Sequence, residues 1–185
     1  MNEEILIIDN KKEAKFLRTK TKEFRFLKKE AEVAGRVLSF KEIDEFLRTM
    51  RKVMKAARGV GLSANQIGLP YRVFVAEVPD SEGHLKSYSI FNPTLEILKK
   101  EKAVMEEGCL SVPGKYGYVD RFTDVKLIGL DKRGRKLKIK AWGFLAHVFQ
   151  HETDHLDGNL FIDKAKEIFE ASPAERLIKR ETELK

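Results

Sequence analysis

Three of the four histidines fall inside one stretch, HVFQHETDHLDG at 147–158. His151 and His155 stand four apart, with Glu152 directly after the first. On an α-helix, residues four apart share a face, so both imidazoles can turn a nitrogen toward one ion. Glu152 lies about 100° further round the helix. That places it near the ion without ligating it, which suits a carboxylate that handles a water's proton. The plainer alternative is a polar helix face with an accidental pair of histidines.

Two imidazoles leave an ion under-coordinated. Cys109, the only cysteine, lies in EEGCLSVPG, where Gly108 allows close backbone approach. A lone cysteine is usually a small buried hydrophobe. As a ligand it would complete three protein donors with an open fourth position, the arrangement of catalytic rather than structural sites. His147 is either a fourth ligand or a wall residue, and its neighbours Val148 and Phe149 favour the wall. His84 sits in a turn and reads as a solvated loop residue. In GVGLSANQIG, 59–68, Ala64 stands where a GxGxxG loop needs glycine, and no Gly-Lys-Ser/Thr follows. A nucleotide loop is therefore disfavoured, and by itself this stretch reads as a helix-to-strand turn.

These residues need elements to position them. Ser39 and Glu42 have capping-box form, and Ile43, Phe46, Leu47, Met50, Val53, Met54 and Ala57 then recur at helical spacing until Gly59. From Tyr71 to Lys140 the pattern is of strands. YRVFVAEV and LKSYSIF flank a turn, and DVKLIGL and RKLKIKAW flank DKRG as a hairpin. TLEILKKEKAVM suits strand or helix alone, and its neighbours favour strand. A helix is predicted from about Trp142 to Asp157, burying Phe144, Leu145, Val148, Phe149 and Leu156, with Gly158 as its C′ residue. A last helix is predicted near SPAERLIKRETEL, capped by Ser172 with Pro173 at N1. The order predicts an α+β fold: mostly antiparallel sheets around the motif helix, with N-terminal and C-terminal helices, and one domain over 1–185.

Composition narrows the function classes. With 42% apolar and 35% charged residues in 185, the chain can bury a core and keep a charged surface. A net charge of +7 permits a polyanionic partner without demanding one. No apolar run approaches the roughly 18–20 residues that span a bilayer. A single cysteine excludes an internal disulfide. The acidic start, with only a short apolar stretch, resembles neither a secretory signal nor a transit peptide, so a cytoplasmic protein is expected.

Taken in order, GVGLSANQ, EGCLS and QHETDH resemble the three signature motifs of the peptide deformylases, written GxGLAAxQ, EGCLS and QHExDH. The second and third match in full, and the first has Ser63 where alanine is usual. The likeness continues through FNP, DKRG and HLDGNLFID and spans about Ser39 to Asp163. It implies a metal hydrolase that removes the N-formyl group from the initiator methionine of nascent polypeptides. Cys109, His151 and His155 would hold one divalent ion, Fe2+ physiologically, with Zn2+, Ni2+ or Co2+ possible in purified protein. Glu152 would be the general acid/base, and the Gln66 amide and Leu110 N–H would face the oxyanion.

General chemistry agrees, because attack on a formamide carbonyl builds an alkoxide that an ion and two fixed donors can offset. By the same likeness, the substrate peptide adds as a strand beside Val60 and Gly108. Its methionine enters a pocket lined by Val60, Met105, Phe144, His147 and Val148, and Gly61 keeps the wall thin where the formyl group enters. The family commonly has arginine or an aliphatic residue at the position of His147, so the pocket departs from the pattern there. Ser63 and Thr153 are expected to tune packing only. The tail from Lys164, charged and helical with no closing apolar strand, looks like the class with a C-terminal helix (type I), which can dock on the ribosome. The basic N-terminal segment and DKRGRKLKIK add positive surface, for which a solvated charged face is the plainer alternative. A monomer acting on N-formylmethionyl peptides, with no membrane contact, is expected. Two other functions stay open: a general HExxH metallopeptidase, and a non-catalytic metal-binding or ribosome-associated relative.

Overall fold

The protein is described by a computed structural model over residues 4–80 and 82–171. A short helix α1 (Lys11–Leu17) precedes three small strands, β1 (Arg25–Phe26), β2 (Glu30–Val33) and β3 (Arg36–Ser39). The long helix α2 (Phe40–Ala56) leads into β4 (Gly61–Ser63), a 3-10 turn at Ala64–Ile67, β5 (Val73–Pro79) and β6 (Leu85–Ile97). Then come β7 (Lys102–Cys109), β8 (Val112–Phe122), β9 (Asp124–Leu130), β10 (Lys136–Trp142), helix α3 (Gly143–Leu156) and β11 (Glu167–Glu170). The strands form three antiparallel sheets, ordered β1-β2-β3, β10-β9-β6-β5-β4 and β11-β8-β7.

β5 explains how the two long helices are placed. Its run of apolar residues is buried on both faces, as expected of a strand covered on both sides. Val73 and Val75 join the α2 residues Ile43, Phe46, Leu47, Met50, Val53 and Met54 in one core. Phe74, Ala76 and Val78 point the other way, into a second core with Ala146, Val148, Phe149 and Leu156 of α3. Phe149 seats this helix, with its ring 5.9 Å from Phe74 and 5.3 Å from Tyr88. A third, smaller cluster of Val112, Val119, Leu160 and Phe161 ties the β7–β8 hairpin to the chain after α3.

The α+β organisation, the capping box of Ser39 and Glu42, and the DKRG hairpin all appear as expected. Asp131 Oδ1 closes that hairpin by accepting the N–H groups of Arg133 and Arg135, at 2.8 and 2.9 Å. α3 stops where Gly158 takes φ +80°, and a Cβ there would meet the Arg18 carbonyl oxygen at 2.5 Å. Other expectations need correction. TLEILKKEKAVM is strand as expected, but it divides between β6 and β7 and is not one element. Phe144 leaves the core, 45% exposed at the start of α3. The chain after Lys164 is not helical throughout, since Glu167–Glu170 forms β11 against β8. Gly117 permits that pairing, because a Cβ there would lie 2.6 Å from the Glu167 carbonyl oxygen. The predicted C-terminal helix, with Ser172 and Pro173, lies outside the described residues.

The C-terminus of α2 carries a local strain. Its last carbonyls are met by Arg58 N–H on Lys55 O, at 3.0 Å, and Gly59 N–H on Met54 O, at 2.9 Å. This closure places Arg58, not a glycine, in the left-handed region at φ +55°. A side chain costs about 1 kcal/mol there, and glycine avoids most of it. Arg58→Gly is therefore expected to raise the urea midpoint, by a stability gain of about 0.5–1 kcal/mol. A lowered midpoint would contradict this account of the turn.

Candidate metal centre

Among the described residues, one group of ligand-type side chains stands close enough to share an ion: Cys109, His151 and His155, with donor atoms all within 4.8 Å of one another. Cys109 Sγ is 3.1 Å from His155 Nε2, and the two Nε2 atoms are 3.2 Å apart. Bonds of about 2.1 Å to nitrogen in a tetrahedral site set an N–N edge near 3.4 Å, so this spacing fits a common ion. α3 supplies the histidines one turn apart. β7 supplies Cys109 at its end, where the register with β8 shifts and the chain turns through Leu110 and Ser111.

Each donor is held from behind. Glu107, on the same face of β7 as Cys109, accepts four hydrogen bonds. Its Oε1 takes Arg121 Nε at 2.5 Å and His147 Nε2 at 3.1 Å. Its Oε2 takes Arg121 Nη2 at 2.9 Å and His151 Nδ1 at 2.7 Å. With Nδ1–H donating to Glu107, His151 keeps the Nε2 lone pair for an ion. Arg121 also reaches Asp154 at 2.6 Å, and Lys164 completes that pair at 2.5 Å. The Cys109 sulfur accepts from Ser111 N–H at 3.4 Å and from Gln66 Nε2 at 3.6 Å. His155 is anchored through its backbone, whose carbonyl takes Asn65 Nδ2 at 2.7 Å.

The electrostatics follow from these partners. Burial raises the Glu107 carboxyl, but the hydrogen bonds of His147, His151 and Arg121 outweigh it and hold the group well below the usual carboxylate range. Burial likewise raises the Cys109 thiol, yet the charge and hydrogen bonds of His155 and His151 bring it down to about 5. Burial lowers the His151 ring, against stronger lifting by Cys109 and Glu107. The result is a thiolate–imidazolium pair, whose proton a cation would displace. Glu152 behaves differently: burial lifts its carboxyl above the ordinary range, against the pull of His151, His155 and the Ser63 hydroxyl.

Glu152 projects beneath β4. Ser63 Oγ donates to its Oε2 at 2.7 Å, and a Cβ on Gly61 would sit 2.2 Å from Oε1. Gly61 is thus demanded by the carboxylate itself, a tighter reason than the thin wall expected from sequence. Ser63 contacts this carboxylate directly, so its substitution for alanine does more than adjust packing. Gln66 Oε1 accepts Ser63 N–H at 2.9 Å, which turns the amide nitrogen toward Cys109 and Ser111.

A cavity of about 430 Å³ opens onto these groups. Val60, Gly61 and Gln66 line it from the β4 side, and Gly108, Cys109 and Leu110 from the end of β7. Phe144, His147, Val148, His151 and Glu152 of α3 complete it. Met105 does not line it. It lies two residues before Glu107, which carries it along β7 beyond the cavity and opposite Val119. His147 stands on the wall with its Nε2 on Glu107, outside the ligand cluster.

Sequence reasoning gives no such supporting role to Glu107, Arg121, Asp154 or Ser63. Only Glu107 carries a usable signal, standing two residues before Cys109 in the same EEGCLS stretch. A neutral glutamine at Glu107 should lower divalent-ion affinity about 10–100-fold, measured by competition with a chelator. Unchanged affinity would show that Glu107 does not support the donors.

The sequence profile described as polypeptide deformylase matches residues 14–170. A peptide deformylase of Halothermothrix orenii is 44% identical over 140 residues, covering 75% of this chain and 84% of that relative. One from Pelotomaculum thermopropionicum is 43% identical over 151 residues, covering 82% and 92%. The crystal structure of the Thermotoga maritima peptide deformylase is similar, with a TM-score of 0.73 at 29% identity, covering 90% of this chain and 99% of that one. So is that of a Synechococcus elongatus peptide deformylase in complex with actinonin, at 0.72 and 28%, covering 89% and 79%.

Proposed function

The chain belongs to the polypeptide deformylase family, and on that premise we propose how its residues divide the work. The reaction is hydrolysis of the N-formyl group from the formylmethionine of nascent polypeptides, releasing formate. The observation that carries the assignment of roles is the convergence of Cys109, His151 and His155 donor atoms within 4.8 Å, beside a buried Glu152.

A divalent ion held by Cys109, His151 and His155 would supply Lewis acidity, lowering the pKa of water and polarising a carbonyl. Glu152 takes the proton of the attacking water and delivers it to the amine nitrogen as the C–N bond breaks. Its raised pKa suits both halves of that transfer. The Gln66 amide and the Leu110 N–H donate to the formyl oxygen as negative charge grows on it. Gln66 is oriented for this in advance by its bond to Ser63 N–H. β4 and β7 are edge strands of their sheets, which supports binding of the peptide as an added strand near Val60 and Gly108. The methionine side chain is received by Val60, Phe144, His147 and Val148.

Neither alternative function is favoured. The relatives described above are peptide deformylases, and His147, the fourth donor that a closed structural site would need, gives its Nε2 to Glu107. Fe2+ as the physiological ion rests on family likeness, since a thiolate with two imidazoles does not select iron over zinc, nickel or cobalt. A cytoplasmic monomer is the companion proposal. Among the described residues no helix is long and apolar enough to cross a membrane. Ribosome contact is supported by the charge of +7 and by the exposed Lys136, Lys138 and Lys140 of β10.

Metal-loaded protein should release formate from formyl-Met-Ala-Ser, and no turnover would sink the assignment. Glu152→Gln should lower kcat about 10²–10⁴-fold while retaining the ion by elemental analysis. Gly61→Ala should also lose activity with its metal intact, because the added methyl displaces the Glu152 carboxylate. Full activity in either variant would remove Glu152 from its role.

A further inference from the structure

Two cations line the cavity without taking part in the chemistry above. Arg58 comes from the turn after α2 and Lys115 from β8. Among the described residues neither makes an ion pair, although Lys115 lies opposite Glu170 in the β8–β11 register. Most arginines of the described chain behave otherwise: Arg18, Arg25, Arg48, Arg72, Arg121, Arg133 and Arg135 each pair with a carboxylate.

The carboxylates of the lining do not cancel this charge. Glu107 is already shared by Arg121, His147 and His151. Glu152 is buried under Gly61 and bonded to Ser63. Glu106, which has an interaction of its own, adds one negative charge to the lining against two positive ones. Arg58 has a second peculiarity. It occupies a left-handed position that glycine would fill with less strain, so its side chain is kept at a cost to the fold. Strain of that kind gathers where a side chain has work to do.

The formyl group and methionine occupy the inner part of the cavity in the proposed function, so the residues that follow methionine must leave past the outer lining. We propose that Arg58 and Lys115 make this enzyme prefer nascent peptides with an acidic side chain in the residues directly after formylmethionine. The inference rests on the deformylase assignment and goes beyond it, by naming a substrate class within it. Attraction between unit charges at a partly enclosed rim is strong enough to sort substrates, and it weakens with salt.

The test compares kcat/KM for two series, formyl-Met-Xaa-Ser and formyl-Met-Ala-Xaa, with Xaa as Glu, Gln or Lys. In at least one series Glu should exceed Lys about tenfold or more at low ionic strength, with Gln between them. That ratio should shrink toward one at about 1 M salt, where the Debye length is near 3 Å. In the Arg58→Gln/Lys115→Gln double variant the ratio should collapse at low salt as well. Arg58→Gly should reduce it without loss of thermal stability, which separates selectivity from folding. Equal or reversed turnover of the Glu and Lys peptides in both series overturns the proposal and leaves the deformylase assignment standing. A ratio that survives in the double variant overturns the part given to these two residues. Failure to deformylate any of the six peptides overturns the assignment itself, and this proposal with it.

Discussion

α3 is buried on nearly every side, yet His147, Gln150, Glu152, Thr153 and His155 are among its buried residues. A buried polar group without a partner costs roughly 1–3 kcal/mol, so such a helix is tolerable only where its surroundings answer it bond for bond. The surroundings answer many of these groups, while His147 Nδ1, Thr153 Oγ1 and His155 Nδ1 are left without a partner among the described residues. Gln150 pairs with both backbone groups of Phe122, as a neighbouring strand would. Glu152 is met by Ser63, His147 and His151 by Glu107, and Asp154 by Arg121 and Lys164. Much of the remaining fold can be understood as what is needed to bring those partners to the helix.

That requirement sets the spacing of the strands. β4 can pass over Glu152 only because Gly61 has no side chain. β7 must end where Cys109 meets the two imidazoles, and the shift in register with β8 at that point turns the chain through Leu110 and Ser111. The two edge strands, β4 and β7, are left facing one cavity with the metal donors at its base. Apolar packing provides the frame. β5 carries α2 on one face and α3 on the other, so the distance between the helices is the thickness of one sheet with its side chains.

The ion pair of Glu107 and Arg121 is best understood through orientation. Burying two charges is expensive, and an apolar pair of similar shape is often as stable or more so. What the apolar pair could not do is fix the tautomer of His151 and hold His147 against the same carboxylate. The pair therefore contributes a defined donor geometry that apolar packing could not supply.

Features carried by local spacing are legible in the sequence. The i, i+4 histidines, the capping box at Ser39, the DKRG turn and the glycine after α3 each depend on residues a few positions apart, and all four appear where expected. The N-terminal hairpin is hidden because Ala34 and Gly35 make its tight turn, at φ +49° and +76°, inside a short stretch of mixed charged and apolar residues. β11 is hidden because four residues carry too little periodicity to outweigh the charges around them. Met105 and Phe144 differ from expectation because strand or helix phase gives a direction, not a depth along the element. The sequence alone determined which side chains could bind an ion, since ligand chemistry and helical period are properties of residues and near neighbours. Only the tertiary structure decided that Glu107 would brace the histidines, that Ser63 and Gly61 would enclose Glu152, and that Arg58 would reach the cavity lined by Lys115. Those contacts join segments dozens of residues apart, and their closeness is set by how sheets and helices pack.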